Sequence, residues 1–383
     1  MLKILTFGRD LESFSIRRVF LLVGLAVSAS ACAGKPPPLA LVEPQGADGA
    51  AYDVLVATNR APIDDREQRY GDGRSDDLAF NAISVWVPNN RTPGSISYPS
   101  DSPNIDQEFA ITRFDSITSD QFLELLNNRL AGLTDSKSVF VFVHGYNVPY
   151  SSGVYRIAQI VADFENDSVP VHYSWPSSGK PLGYMYDRDS VQFARDGFAE
   201  LLTELVASNA ESIFLMGHSM GGLLVMETLR QLSLTGRDEI IEKIAPLVLA
   251  SPDIDNDVFR SQLLSLSIRP DPIIVFVASD DNALRLSQRL RGGHPRVGEG
   301  LNISDLQDAG ITVIDLSDIE LGDGTQHSAF ASSPELIKLF RQASIARDTL
   351  AEADSDTIES PLDLLSKFTQ GIIFLPKRVI ESP

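Results

Sequence analysis

The sequence predicts an α/β fold with a mostly parallel central sheet and helices on both faces. Three observations carry this. From Ser138 onward, segments that are apolar throughout alternate with segments of helical periodicity. A strand with no polar side is buried on both faces, which is the mark of a parallel sheet sandwiched between helices. A glycine-rich turn, Gly217-His218-Ser219-Met220-Gly221-Gly222, joins one such strand to one such helix. The chain of 383 residues is 43% hydrophobic and 22% charged, enough apolar material for one large core plus tails.

Taken in order, "YDVLVATNR" (52–60) and "AISVWVP" (82–88) read as strands. The polar, glycine-punctuated "APIDDREQRYGDGRSDD" (61–77) between them reads as a loop. "SDQFLELLNNRLAGL" (119–133) reads as a helix capped by Ser119, with apolar spacing at Phe122, Leu125, Leu126 and Leu130. Then the alternation sets in. Strands are expected at 138–147, 169–177, 212–219, 244–255, 271–281 and 310–318. Helices are expected at 152–167, 189–209, 220–232, 256–266, 283–290 and 333–343. The body is expected to span 52–346, with an acidic and then apolar extension over 347–383.

Gly217-His218-Ser219-Met220-Gly221 is G-x-S-x-G, placed where an apolar strand ends and a helix begins. In that context it predicts a strained turn that presents a serine nucleophile. A serine hydroxyl needs a base. The chain has five histidines. His144 ends a strand, His172 lies within one, and His218 is beside the serine in sequence and points elsewhere. His294 and His327 lie in loops. Folds that build a nucleophile this way run Ser, then Asp or Glu, then His, so His327, after the last strand, is the expected base and His294 the reserve. The acid must follow a strand between Ser219 and His327. Asp281 in "VASDDNAL" is the first choice, with Asp253 and Asp280 as alternatives. An aspartate at a helix start can also be only an N-cap. Asp253, Asp255 and Asp257 form D-x-D-x-D, but Val258 and Leu264 stand where a calcium loop needs Gly and Glu. Acyl transfer also needs oxyanion donors. The Met220 N–H supplies one, and the Tyr146 N–H in "VFVHGYN" the other.

The net charge of −20 repels phosphate backbones, so no nucleic-acid partner is expected. The single cysteine, Cys32, leaves no intramolecular disulfide and no cysteine metal site. Arg17 and Arg18, the apolar run Val19–Val27 and the small residues before Cys32 resemble a bacterial lipoprotein signal. Residues 1–31 would then be the signal. Cys32 would be the lipidated residue, and 32–51, with Pro36-Pro37-Pro38, a linker. That resemblance implies export to the cell envelope and a membrane contact through a lipid anchor, facing the periplasm.

The pieces "VATNR", "FVHGYN", "YSWPSSG", "GHSMGG", "SPDIDNDVF", "ASDDNALRLSQRLRGG", "PRVG" and "HSAF", in this order across 52–345, resemble the α/β-hydrolase superfamily, and within it an uncharacterised bacterial esterase/lipase-like branch. The resemblance implies an α/β-hydrolase fold and a Ser219-His327-Asp281 hydrolase acting on a small-molecule acyl substrate, with neither metal nor organic cofactor. The same scaffold also carries peptidases, acyltransferases and non-catalytic binding proteins. The segment "PSSGKPLGYMYDRDS" is too short for a large lid, which predicts an open site favouring short or soluble acyl groups.

Overall fold

A computed structural model describes residues 35–134, 136–165, 167–290, 293–300, 303–317, 326–333 and 336–337. The expected signal, Cys32, the C-terminal extension and most of the helix expected at 333–343 lie outside them. The described residues form one nine-stranded sheet: β1 (Gly49–Pro62), β2 (Tyr70–Pro88), β3 (Ala110–Ile117), β4 (Ser138–Val143), β5 (Val169–Ser174), β6 (Ser212–His218), β7 (Ile244–Ala250), β8 (Ile273–Val277) and β9 (Thr312–Asp315). Their spatial order is β3-β2-β1-β5-β4-β6-β7-β8-β9. From β1 across to β9 the neighbours are parallel, and β1, β2 and β3 pair antiparallel.

The apolar strands divide their side chains between two cores, as a sheet with period two must. Val139, Val141, Val143, Leu215, Leu247, Leu249, Val275 and Val277 face one core. Phe140, Phe142, Met216, Val248, Ala250, Ile274 and Phe276 face the other. The first is closed by helices α1 (Ser119–Ala131), α3 (Tyr184–Ala207), α4 (Met220–Leu234) and α6 (Asn256–Leu264). The second is closed by α2 (Tyr150–Phe164). Short helices α5 (Asp238–Ile241), α7 (Asn282–Leu290), α8 (Ile303–Asp308) and α9 (Ala329–Ser332) complete the described chain. Among the described residues, no helix is long and apolar enough to cross a membrane.

Several boundaries differ from expectation. Much of 61–77 is strand: β2 starts at Tyr70, and its first arm pairs with the end of β1 through Tyr70↔Pro62 and Arg74↔Arg60. This arm is polar because it runs beyond the buried sheet, so hydrophobic periodicity does not mark it. β3 has alternating exposed positions and no continuous apolar run, which hid it. The cap of α1 is Thr118, one residue earlier than Ser119. Its hydroxyl accepts the Gln121 N–H while the Gln121 side chain accepts the Thr118 N–H. α3 begins at Tyr184, five residues before its expected start, since Asp187 in its first turn tolerates a helix N-terminus. β7 stops at Ala250 and β8 at Val277, which frees their following loops. Residues 36–42 lie along the body: Val42 N–H donates to Ile111 O, Ile111 N–H to Ala40 O, and the Tyr155 hydroxyl to Pro38 O.

The connections place a crevice. The chain leaves β4 through α2 to reach β5 on one side, and leaves β6 through α4 to reach β7 on the other. These helices cover opposite faces of the sheet. The carboxyl ends of β4 and β6, paired through Val143↔Gly217, are therefore the switch point where such sheets bind ligands.

Candidate active site

Ser219 sits at that switch point with φ 52° and ψ −121°, a backbone region that costs a non-glycine residue about 1–3 kcal/mol. Its N–H donates to Ala250 O at 2.9 Å, and its carbonyl accepts Gly222 N–H at 3.0 Å. The turn can be this tight because Gly221 passes directly against β4's end. A Cβ there would lie 2.4 Å from both Val143 O and His144 O. Gly145 approaches from the other side: a Cβ on it would lie 2.9 Å from Ser219 Cβ and 2.8 Å from His218 Nδ1. These contacts enclose the serine, which is only 2% exposed.

His327, in a 3-10 turn (Gln326–Ser328) after β9, places its Nδ1 2.7 Å from Asp281 Oδ2. Asp281 is fully buried and serves two partners with its two oxygens. Oδ2 faces His327, while Oδ1 accepts the N–H groups of Ala283 (2.9 Å) and Leu284 (3.1 Å) at the start of α7. It is an N-cap and a histidine partner at once. Burial alone would raise its carboxyl, but the His327 bond and charge and the two amides outweigh this and hold it below the usual range. Ionised Asp281 thus favours the tautomer of His327 with the proton on Nδ1, leaving Nε2 free to accept one.

His218 also belongs to this arrangement, contrary to its dismissal from sequence. Its Nε2 lies 2.9 Å from His327 O, its ring 4.8 Å from the His327 ring and 5.0 Å from Phe330. Burial, reinforced by the charge His327 can carry, pushes it down to about 3, so it is neutral and its Nε2–H donates to that carbonyl. Ser219, His218 and His327 are thereby joined in one unit.

The loop after β4 is pinned from below. Asp187 of α3 accepts Asn147 N–H (3.1 Å), the Ser177 hydroxyl (2.6 Å) and Ser178 N–H (2.6 Å). Trp175 Nε1 donates to His144 O at 2.7 Å and its ring stacks on His144 at 4.9 Å. Arg60, at the end of β1, reaches the same loop. Burial pushes it down to about 10, with Asp187 pulling the other way, so it remains a cation at neutral pH. Tyr146 hydroxyl donates to Pro181 O at 2.5 Å, tying the loop to the β5–α3 connection. The N–H groups of Tyr146 and Met220 have no protein acceptor among the described residues.

The alternative residues stand elsewhere. Asp253 is buried in a separate cluster. It accepts the hydroxyls of Tyr184 (2.8 Å) and Ser287 (2.6 Å) and lies 3.4 Å from Arg296 Nε. Only its backbone N–H reaches the elbow, at Ser219 O (3.3 Å). Asp280 makes no recorded contact with His327, and its Oδ1 is buried without a partner. His294 is exposed and makes no contact with the site among the described residues. Asp255 caps α6 through the N–H groups of Asp257 and Val258. Arg60, Asp187 and Trp175 were missed. The only sequence signal for Arg60 and Trp175 was position, in "VATNR" and "YSWPSSG" at or just beyond strand ends; Asp187, in the first turn of α3, carried none.

A family model described as "Alpha/beta hydrolase of unknown function (DUF900)" matches residues 119–344. The chain is 28% identical over 123 residues to the uncharacterized protein alr1448 from Nostoc sp. (strain PCC 7120 / SAG 25.82 / UTEX 2576), a match covering 25% of this chain and 32% of that protein. The chain thus spans about a third of that relative's length. Among solved structures it resembles esterase B from Lactobacillus rhamnosis HN001 (10% identity, TM-score 0.31, 78% of this chain and 81% of that one). It also resembles fungal esterases from Rhizomucor miehei (13% identity, TM-score 0.33, 91% and 94%). Structural likeness of that degree carries no argument about chemistry. The family match and the nine-stranded sheet agree with the expected α/β-hydrolase fold.

Proposed function

We propose that this chain, which belongs to the alpha/beta hydrolase family of unknown function matched by its residues 119–344, is a serine hydrolase cleaving an ester or related acyl bond. The observation that carries the reading is the 2.7 Å contact between His327 Nδ1 and buried Asp281, tied through His218 to the strained Ser219. In the proposed reaction His327 Nε2 takes the Ser219 hydroxyl proton as Oγ attacks the acyl carbon. Asp281 stays ionised and stabilises the imidazolium. The Met220 and Tyr146 N–H groups receive the oxyanion. His327 then gives its proton to the departing alkoxide, leaving an acyl-Ser219 ester. Water, deprotonated by His327, releases the acid and restores the serine. Every step uses protein groups and water.

The short connection Trp175–Gly183 between β5 and α3 supports a preference for short or soluble acyl groups. Nitrophenyl esters of graded chain length test both reaction and preference. A stoichiometric burst of nitrophenol with the short esters is expected. No turnover across the series in correctly folded protein would contradict the reading. Export and lipid attachment at Cys32 belong to the same proposal. They rest on the order Arg17-Arg18, apolar run, small residues, cysteine. The mass of the mature N-terminus tests them: a diacylated Cys32 is expected, and an unmodified Cys32 or a cleavage elsewhere would overturn them.

A further inference from the structure

Arg60 is a fully internal cation, 1% exposed, at a break in the β1–β2 register between Thr58 and Pro62. Its guanidinium touches neutral acceptors only. Nε donates to the Ser174 hydroxyl (3.0 Å), Nη1 to Gly71 O (3.1 Å) and Ser177 O (2.9 Å), and Nη2 to Val148 O (2.7 Å). Nη2 also lies 3.3 Å from His144 Nε2. No carboxylate lies within ion-pair distance among the described residues. Burying a charge without a counter-charge is costly unless its hydrogen bonds are filled. A planar five-donor fork fills them here, which a lysine could not do.

His144 can be neutral in two forms. With the proton on Nδ1, it donates to Gly145 O at 2.8 Å, and Nε2 accepts from Arg60. With the proton on Nε2, it donates to Trp175 O at 3.1 Å. The bare Nδ1 then faces the Gly145 oxygen at 2.8 Å, and an Arg60 N–H faces an N–H. The first form makes two hydrogen bonds and leaves one repulsion, between the bare Nε2 and Trp175 O, while the second makes one hydrogen bond with two repulsions, so the first is favoured. Its consequence runs through the next peptide. The Gly145–Tyr146 unit is planar and trans, so its C=O and N–H point to opposite sides. Drawing the Gly145 oxygen onto His144 turns the Tyr146 N–H away from it, toward no protein acceptor.

We propose that Arg60 is a positioning residue for the acyl-transfer site: by donating to His144 Nε2 it fixes the proton on Nδ1, and through the Gly145 carbonyl it holds the Tyr146 N–H as an oxyanion donor. The assignment to an oxyanion rests on the serine-hydrolase reading above. The tautomer assignment does not.

Two measurements on the full chain test it. Nitrogen NMR of 15N-histidine protein, with the His144 signals identified by their loss in His144→Gln, reads the tautomer. A protonated Nδ1 and a bare Nε2 are expected. A proton on Nε2 overturns the proposal. Kinetics on the best nitrophenyl ester, together with the rate of labelling by a fluorophosphonate probe, read the function. Arg60→Gln is expected to lose about 100-fold in kcat and in labelling rate, with KM little changed, as for removal of an oxyanion donor. Arg60→Lys, which keeps the charge but not the fork, is expected to recover thermal stability more than kcat. A folded Arg60→Gln with wild-type kcat and labelling rate overturns the proposal. If Arg60→Gln does not fold, Arg60→Lys and the wild-type tautomer decide. A wild-type protein that neither turns over esters nor labels overturns the hydrolase reading instead, and the NMR result still stands by itself.

Discussion

His218 donates its Nε2–H to the carbonyl oxygen of His327 at 2.9 Å, so the residue next to Ser219 in sequence holds the backbone of His327. The two rings are 4.8 Å apart, and Phe330 closes the far side of His218 at 5.0 Å. His327 is contributed by a three-residue 3-10 turn that runs into the four-residue helix α9. Two bonds hold it among the described residues, this one to its carbonyl and the Asp281 contact to its ring.

Replacing His218 by Phe keeps a ring in that packing but removes the donor. The expected outcome is a fall in kcat of at least about tenfold, because small misplacements of a base are felt steeply. The melting temperature should move little. Steady-state kinetics beside a thermal melt checks this; a loss of stability with kcat intact would show His218 to be packing alone.

Asp281 and Asp253 are both buried carboxylates that follow strands, and their substitutions should separate cleanly. Asp281→Asn removes the charge facing His327 and leaves an amide able to stabilise the wrong tautomer. It should lower kcat by about 10³–10⁴-fold. Asp253→Asn leaves the buried guanidinium of Arg296, 3.4 Å away, without its nearest counter-charge. Breaking such a pair costs about 3–5 kcal/mol of stability, while the folded fraction should keep most of its activity. Urea denaturation and kinetics on both variants test the assignment, and equal kcat losses would contradict it.

Acid should destabilise the protein through its buried neutral histidines. Burial is the main cause that pushes His172 and His218 down to about 3 in the folded state, against about 6.5 in the unfolded chain. A depressed histidine contributes its full stability above the unfolded value and loses it as pH falls from about 6.5 toward 3. In that window the unfolded state binds protons that the native state does not. Each histidine adds a slope of up to about 1.4 kcal/mol per pH unit. Urea midpoints from pH 7.5 down to 5 should fall accordingly, and His172→Phe should flatten the curve. An unchanged slope in that variant would show that His172 is not a source of it.

Much of this was legible in the chain because the relevant signals are local. Strands buried on both faces, such as Ser138–Val143 and Ile273–Val277, read as apolar runs. The Gly217–Gly222 turn announces itself by composition, and chain order then points from Ser219 to Asp281 and His327. The parts that escaped depend on distant partners. Arg60 meets Val148, Ser174 and Ser177 across 88 to 117 positions of sequence, and nothing around it in "VATNR" predicts a buried cation. His218 was set aside because it adjoins Ser219 in sequence, yet its partner is 109 positions away. The first arm of β2 and all of β3 are partly exposed, so they lack the periodic apolar face that marks a strand.

The central claim is that Ser219 is a nucleophile activated by His327 and Asp281. The most direct measurement is intact-mass and peptide-mapping analysis after exposure to a fluorophosphonate probe. The account predicts one adduct per chain, mapped to Ser219, absent in Ser219→Ala and formed at a strongly reduced rate in Asp281→Asn. A folded wild-type protein that takes up no probe, or one that Ser219→Ala labels equally, would contradict it.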